Sequence, residues 1–114
     1  MSSKTKGYRI ERKIKHLFEE NAWKVVRAGG SLGEYDLIAF KNGRCLFMQI
    51  KSTSRNKLYY YGYTNDSYES FPFRLVVDFG RGTTRVLPPQ RVVGKTDGLD
   101  IKEFLVGIGD KELK

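Results

Sequence analysis

The chain has 114 residues and a mass of 13.1 kDa, which is the size of a single domain. Hydrophobic residues make up 39% of it and charged residues 30%, so the composition is not that of a disordered or membrane chain. The net charge is +8, and the whole excess lies in residues 1–57, where 13 bases face 5 acids. This localised charge indicates a polyanion partner, most simply nucleic acid, with charge for solubility as the alternative.

Two further features bear on where the protein works. No segment approaches the roughly 20 apolar residues of a membrane span, and no signal-peptide pattern opens the sequence. Cys45 has no second cysteine to pair with, so we expect a reducing, intracellular, cytoplasmic environment and no membrane partner. Cys45 itself is predicted to be a small core residue, because no second Cys or His offers a metal site.

The N-terminal part of the chain predicts an arm followed by a helix. Residues 1–6 are short, polar and basic, and we expect a mobile arm ahead of a domain that spans residues 7–114. Apolar residues then recur at helical spacing: Ile10, Ile14, Leu17 and Phe18. This spacing predicts an amphipathic helix over residues 7–21.

The rest of the chain predicts strands, loops and a second helix. Apolar, β-branched and aromatic content predicts five strands, at residues 23–27, 35–40, 44–51, 73–79 and 83–87. Asn42-Gly43 is a strong signal for a two-residue hairpin turn between the second and third strands. The polar, Tyr-rich residues 52–71 are predicted to form a loop with one helical turn, and residues 101–106 a short helix with Asp100 as its N-cap. This order of elements indicates a single mixed α/β domain.

The hairpin brings three polar side chains together at one of its ends. With a two-residue turn, Asp36 falls directly opposite Gln49, and cross-strand neighbours on one face are close in space. Lys51 lies two residues beyond Gln49 and therefore shares its face. The other hairpin positions are nearly all apolar. An acid, an amide and an amine clustered there therefore indicate either internal hydrogen-bond partners or a functional role.

A fourth polar residue, Glu11, lies on the apolar face of the predicted helix, where a carboxylate is seldom found unpaired. Together with Asp36, Gln49 and the backbone carbonyl of Ile50, it supplies the oxygen ligands that Mg²⁺ prefers. Lys51 beside the metal would hold or deprotonate an attacking water, or stabilise charge on a phosphate. The alternative is structural: Glu11 reaches to water, and a Lys51–Asp36 salt bridge forms beside an edge-strand Gln49. The residues alone leave both readings open.

Longer motifs extend the pattern. Tyr35-Asp36 and Gln49-Ile50-Lys51 fit the nuclease pattern PD-(D/E)xK. An ordered series, strong over residues 6–57 and thinner at residues 72–107, resembles the archaeal Holliday junction resolvase family. Its motifs are Lys6-Gly7-x-x-x-Glu11-Arg12, Val25-Val26-Arg27-Ala28-Gly29-Gly30-Ser31, Asp36-Leu37-Ile38-Ala39, Asn42-Gly43, Gln49-x-Lys51 and Gly98-Leu-x-Ile-x-x-Phe-Leu-x-Gly107.

The resemblance implies a restriction-endonuclease-like fold, in which a mixed central β-sheet is flanked by helices. It also implies an endodeoxyribonuclease that cuts four-way (Holliday) DNA junctions as a homodimer, with Mg²⁺ or a substituting Mn²⁺ and no small-molecule substrate. Lys51 would be the catalytic base or charge stabiliser, and Ser31 would act at the scissile phosphate. The metal ligands implied are Glu11, Asp36, Gln49 and Ile50. The DNA-binding residues expected are Lys6, Arg9, Arg12, Lys13, Arg27, Ser31 and Arg55.

The chain departs from the family pattern at two places. Members usually carry Glu where this chain has Gln49, and we expect this change to alter metal affinity because other nucleases of the superfamily use Gln there. Residues 57–71 are shorter than the family's middle helix and hold five tyrosines, which would stack on unpaired bases, line a dimer interface or pack in the core. Two alternatives stay open: another PD-(D/E)xK endonuclease, of restriction or transposon-end type, and a non-catalytic junction-binding module.

Overall fold

The structure, a computed structural model, describes residues 3–28 and 33–108, with side chains for residues 7–28 and 33–107. Within these residues a long helix, α1 (Ser3–Glu19), is followed by nine strands. The strands are β1 (Lys24–Arg27), β2 (Leu37–Lys41), β3 (Arg44–Ser52), β4 (Lys57–Tyr59), β5 (Ser67–Tyr68), β6 (Phe71–Gly80), β7 (Thr83–Leu87), β8 (Val92–Gly94) and β9 (Leu99–Asp100). A short helix, α2 (Ile101–Glu103), then continues into a π-helical turn at Phe104–Ile108.

The first helix is longer at its N-terminus than predicted. It begins at Ser3, so residues 3–6 of the predicted basic arm belong to the helix. Ile14 and Phe18 are fully buried, as their helical spacing predicts. None of the described helices is long and apolar enough to cross a membrane.

The strands form a mixed sheet in the order β1-β2-β3-β6-β7-β9, with β5 also paired to β6. Every neighbouring pair is antiparallel except β3 and β6, which run parallel. Parallel strands need a crossover connection, and here that connection carries β4 and β5 rather than a helix. β4 pairs with β8 in a separate two-stranded sheet.

The β2–β3 hairpin has the predicted register. Leu37 pairs with Met48, and the pairing continues to the turn, where Asn42 and Gly43 have φ values of 49° and 77°. Positive φ at both central residues is the requirement of a type I′ turn. Because Leu37 is the first residue of β2, Asp36 lies immediately outside the strand, at the end of the hairpin that holds the predicted site.

The prediction that residues 52–71 form a loop with one helical turn is wrong. This segment instead contains β4 and β5, and two further short strands, β8 and β9, are also missing from the prediction. Each of the four has only two or three residues, which is too short to show a period-2 pattern. These short strands are stabilised by pairing with another strand: Leu58 of β4 lies opposite Val93 of β8, and Tyr68 of β5 lies opposite Phe71 of β6.

Both faces of the central sheet carry a hydrophobic core. One core packs α1 and the C-terminal helical segment against the sheet and includes Ile14, Phe18, Leu37, Met48, Val76 and Phe104. The other packs the β4–β8 ribbon against the opposite face and includes Tyr60, Leu75, Val77, Phe79, Leu87 and Val93. The helices described here therefore share one face of the mixed sheet, and the other face is covered by the segment that contains β4 together with β8.

Candidate active site

The side chains predicted to carry the chemistry line one cleft between α1, the start of β2 and the end of β3. The cleft has a volume of about 140 Å³. Its walls are formed by Gly7, Ile10, Glu11, Asp36, Gln49, Ile50, Lys51 and Ser52. Five of the residues predicted from the sequence thus converge, although they come from three separate segments of the chain.

Asp36 is held firmly at the floor of this cleft. Its backbone N–H donates to the Met48 carbonyl at 2.7 Å, and its own carbonyl accepts from the Ala28 N–H at 2.9 Å. Its Oδ2 accepts two hydrogen bonds, from Gln49 Nε2 at 2.6 Å and from the Ile50 N–H at 2.8 Å. β2 begins only at Leu37, so no residue of that strand lies opposite Ile50. The Asp36 carboxylate therefore accepts the Ile50 N–H in place of a backbone carbonyl. The predicted juxtaposition of Asp36 and Gln49 is therefore a direct contact.

Glu11 brings a second carboxylate from α1. Its side chain is 22% exposed, and Nε of Arg27 lies 3.9 Å from its Oε1. Burial, and then the neighbouring charge of Asp36, raise the pKa of Glu11 above its usual value, while Arg27 acts in the opposite direction. The charge of Asp36 thus makes ionisation of Glu11 less favourable, and a bound cation would offset this effect.

Lys51 is the second polar residue that β3 contributes to the cleft, after Gln49. Gln49 and Lys51 alternate with the buried Met48 and Ile50, so they share a face as the period of the strand predicts. Lys51 is exposed, and it forms no ion pair with any residue of the ranges 3–28 and 33–108. The structural alternative of a Lys51–Asp36 salt bridge is therefore wrong, and the ammonium group is available to a ligand in the cleft.

The oxygen atoms of the cleft fit a hard cation. Because an ionised carboxylate only accepts, the Gln49 amide nitrogen must face Asp36, which directs Gln49 Oε1 elsewhere. Neither this oxygen nor Asp36 Oδ1 accepts a hydrogen bond from a described residue. No group of three or more His, Cys, Asp and Glu side chains suited to a metal occurs in the described part of the chain. The possible metal donors of the cleft are thus the oxygen atoms of two carboxylates, one amide and one backbone carbonyl. Mg²⁺ prefers oxygen ligands of these kinds.

Tyr8 lies beside the cleft and is absent from the residues predicted to act there. The Arg27 guanidinium lies 4.5 Å from the centroid of the Tyr8 ring, and the Arg12 guanidinium lies 6.0 Å from it. Both distances suit a cation–π interaction. The signal in the sequence is the spacing of Tyr8 and Arg12, which are one helical turn apart and share a face of α1.

The other predicted DNA-binding residues with described side chains do not line the cleft. Arg9, Lys13 and Arg55 are exposed, and Lys13 Nζ lies 3.6 Å from Oδ2 of Asp78. Ser31 lies outside the described residues, as does the side chain of Lys6. The structure thus brings Arg12 and Arg27 together, and it places Lys13 on another side of α1.

Three of the five tyrosines in the Tyr-rich segment pack against other parts of the protein. Tyr60 is 1% exposed, and its hydroxyl donates to the Tyr63 carbonyl at 2.8 Å. Tyr63 and Tyr68 join a cluster of aromatic rings against the sheet. Tyr59 and Tyr61, by contrast, are 61% and 79% exposed. Packing accounts for three of the five tyrosines, and two are left on the surface.

Comparisons with known proteins show similarity to archaeal junction resolvases. Residues 2–65 match the family model of archaeal Holliday junction resolvases (Hjc). Over 54 residues the chain is 41% identical to the crossover junction endodeoxyribonuclease Hjc of Methanocaldococcus jannaschii. That similarity covers 47% of this chain and 40% of the relative, so it spans less than half the length of the relative.

Two solved structures share the fold. Hjc of Archaeoglobus fulgidus, a Holliday junction resolvase, superposes with a TM-score of 0.68 and 18% identity, covering 89% of this chain and 96% of that one. The bacterial homing endonuclease I-Ssp6803I gives a TM-score of 0.56 and 19% identity, covering 81% and 73%. The predicted restriction-endonuclease-like fold is thereby confirmed.

Proposed function

Because the chain belongs to the archaeal Holliday junction resolvase family, we propose that it is a metal-dependent endodeoxyribonuclease that resolves four-way DNA junctions. The observation that carries the proposal is the convergence of Glu11, Asp36, Gln49 and Lys51 on one cleft. In that cleft Lys51 has no internal ion-pair partner among the described residues. The ammonium group is therefore free to contact a ligand in the cleft.

We assign the binding of a divalent cation, Mg²⁺ or Mn²⁺, to the oxygen atoms of Glu11, Asp36 and Gln49 and to the Ile50 carbonyl. Such a cation supplies Lewis-acid stabilisation of charge on a phosphate and lowers the pKa of bound water. The hydrogen bonds from Gln49 and Ile50 to Asp36 Oδ2 hold that carboxylate in one orientation and leave its Oδ1 for the ligand. The protein therefore presents its donors without first having to order them.

In the proposed reaction, the oxygen of water forms one new P–O bond and gives up a proton to solvent, while the bond from phosphorus to the sugar oxygen breaks and that leaving oxygen takes a proton from solvent. Lys51, exposed at the cleft wall, holds the attacking water or stabilises charge on the phosphate. Arg12 and Arg27, steadied on the Tyr8 ring, contact phosphates close to the cut. We also assign Ser31 to the scissile phosphate, as the family resemblance implies.

We further propose that the protein acts as a homodimer on branched DNA. A four-way junction needs two symmetric cuts, and one chain carries one cleft of this kind among its described residues. A DNA substrate and the unpaired Cys45 favour a reducing, cytoplasmic compartment.

The test is cleavage of a labelled four-way junction in Mg²⁺ or Mn²⁺ by the wild type and by Asp36→Ala and Lys51→Ala. We expect both variants to lose cleavage while junction binding, measured in EDTA, stays largely intact. Lys102→Gln, which removes an exposed base outside the cleft, is the matched control and should cut normally. Retained cleavage in Asp36→Ala would refute the catalytic assignment.

The same assay separates the alternatives. Preferential cutting of linear duplex would identify another endonuclease of the superfamily. Junction binding without cutting in either metal would identify a non-catalytic module.

A further inference from the structure

A larger cavity adjoins the active-site cleft. Its volume is about 350 Å³, and Ile10 and Ser52 line both cavities. The rest of its wall comes from the segment that follows β3, from the end of β6 with the β6–β7 turn, and from the loop after β8. We call this cavity the side groove; the residues that matter below are Ser52, Thr53, Ser54, Asn56, Arg81 and Lys95.

Two basic side chains line the side groove without internal partners. Arg81 and Lys95 are exposed, and neither forms an ion pair or a side-chain hydrogen bond with the described part of the chain. Arg85, from the same half of the sequence, instead donates to the backbone carbonyls of Asp97 and Gly98 at 2.8 Å each. Arg81 and Lys95 are therefore available to an external anion.

The acidic residue of the wall, Asp78, is compensated internally. It is 5% exposed, and its Oδ1 accepts from the Gly80 N–H at 2.9 Å and from the Thr84 hydroxyl at 3.4 Å. Lys13 Nζ lies 3.6 Å from its Oδ2. Its negative charge is thus already balanced, and the groove presents a net positive surface.

The wall between these charges is rich in neutral hydrogen-bonding groups. Ser52, Thr53 and Ser54 contribute hydroxyls, and Asn56 contributes an amide. Thr53 is fixed in place, because its N–H donates to the Asp78 carbonyl at 3.0 Å and its Oγ1 accepts from the Arg55 N–H at 3.1 Å. Hydroxyls, amides and bases of this kind are the usual contacts of phosphate oxygens in protein–DNA interfaces.

The side groove lies on the opposite side of Glu11 from Arg12 and Arg27. Ile10 and Arg12 flank Glu11 on α1, each displaced by about 100° around the helix axis. Arg12 contacts the Tyr8 ring together with Arg27, whereas Ile10 lies at the boundary between the cleft and the side groove and lines both. A strand whose phosphate sits over the cleft would therefore meet basic residues in both directions.

We propose that the side groove binds the phosphodiester backbone of DNA on the Ile10 side of the scissile phosphate, with Arg81 and Lys95 as its cationic contacts. This proposal rests on the proposed function, since it extends the path of the DNA substrate beyond the cleft. It assigns DNA contacts to the C-terminal half of a chain whose charge excess lies in residues 1–57.

The test compares DNA binding by the double variant Arg81→Gln/Lys95→Gln with a charge-matched control, Lys24→Gln/Lys102→Gln. The control residues are exposed and line neither cavity. Affinity for a labelled four-way junction is measured by fluorescence anisotropy in EDTA over a range of salt concentrations. Each lost phosphate contact should reduce the slope of log K against log salt by about 0.9, so the groove variant should lose nearly 2 and the control little.

Three outcomes are decisive. A groove variant whose salt slope and affinity equal those of the control would overturn the proposal. Calorimetric binding of inorganic phosphate to the wild type, lost in the groove variant with junction affinity unchanged, would also overturn it and identify a small-anion pocket. A wild type that neither binds nor cuts junctions refutes the proposed function itself, whereas normal wild-type binding with an unaffected groove variant refutes the groove alone.

Discussion

The side-chain amide of Gln49 donates a 2.6 Å hydrogen bond to Oδ2 of Asp36. An ionised glutamate at position 49 could not make this contact, because it has no donor and would set two carboxylates against each other. The departure of this chain from the family's usual Glu therefore has a structural consequence: the two side chains are held together without a metal ion.

We expect Gln49→Glu to destabilise the metal-free protein and to tighten divalent binding. The variant loses a charge-assisted hydrogen bond and gains a like charge beside Asp36, at a cost of about 1–3 kcal/mol in the free energy of unfolding. Urea unfolding in EDTA and in Mg²⁺ measures the effect. The variant should be less stable than the wild type in EDTA and should gain more stability on adding Mg²⁺. An equal response to Mg²⁺ in the two proteins would contradict a ligand role for position 49.

Tyr8 is expected to act by positioning Arg27 and Arg12. Tyr8→Leu removes the ring on which both guanidinium groups lie, and exposed cation–π contacts of this kind contribute about 0.5–1 kcal/mol each. Single-turnover cleavage of a four-way junction should therefore slow several-fold. Tyr8→Phe keeps the ring and should cut at nearly the wild-type rate. Equal loss in both variants would instead assign the effect to the phenolic hydroxyl.

Tyr60 makes stability sensitive to alkaline pH. Burial, and then the charge of Asp36, raise the pKa of Tyr60 to about 12 from its ordinary 10.0. The unfolded chain therefore loses this proton first, so the stabilisation is complete below pH 10 and is lost as the pH rises toward 12. Tyr60→Phe should be about 1 kcal/mol less stable at pH 8, because the hydrogen bond to the Tyr63 carbonyl is gone.

The measurement for Tyr60 is urea unfolding between pH 8 and pH 12. The difference in the free energy of unfolding between wild type and Tyr60→Phe should shrink steadily above pH 10. Titration of the lysines does not affect this difference, because both proteins contain the same lysines. A difference that stays constant over this range would contradict the raised pKa.

Gly62 is expected to tolerate no side chain. A Cβ at position 62 would lie 2.5 Å from the Tyr60 hydroxyl oxygen and 2.7 Å from two ring carbons of the same buried residue. Gly62→Ala should therefore lower the free energy of unfolding by about 1–3 kcal/mol through overpacking. Gly7→Ala is the matched control, because Gly7 lies within α1 and a Cβ there meets nothing within 4 Å. That change should raise stability by about 0.5–1 kcal/mol, since Ala favours the helix.

The elements that could be predicted from the sequence are those with a local signal of sufficient length. The period of α1, the Asn42-Gly43 turn and the β2–β3 register all follow from residues that are close in the chain. β4 and β8 carry no such signal, because each is stabilised by its partner more than thirty residues away. The path of the chain after β3, and with it the shape of the side groove, therefore lay beyond local prediction.

The sequence by itself determined the chemistry of the site. Residue types and a two-residue turn were enough to set Asp36 against Gln49 and to put Lys51 on the same face, because strand geometry has a period of two. Only the tertiary structure decided how those groups are partnered. It left Lys51 unpaired within the described chain, placed Tyr8 beneath Arg27 and carried Arg81 and Lys95 to the side groove. These contacts join residues distant in the chain, and they depend on how the elements pack rather than on any local pattern.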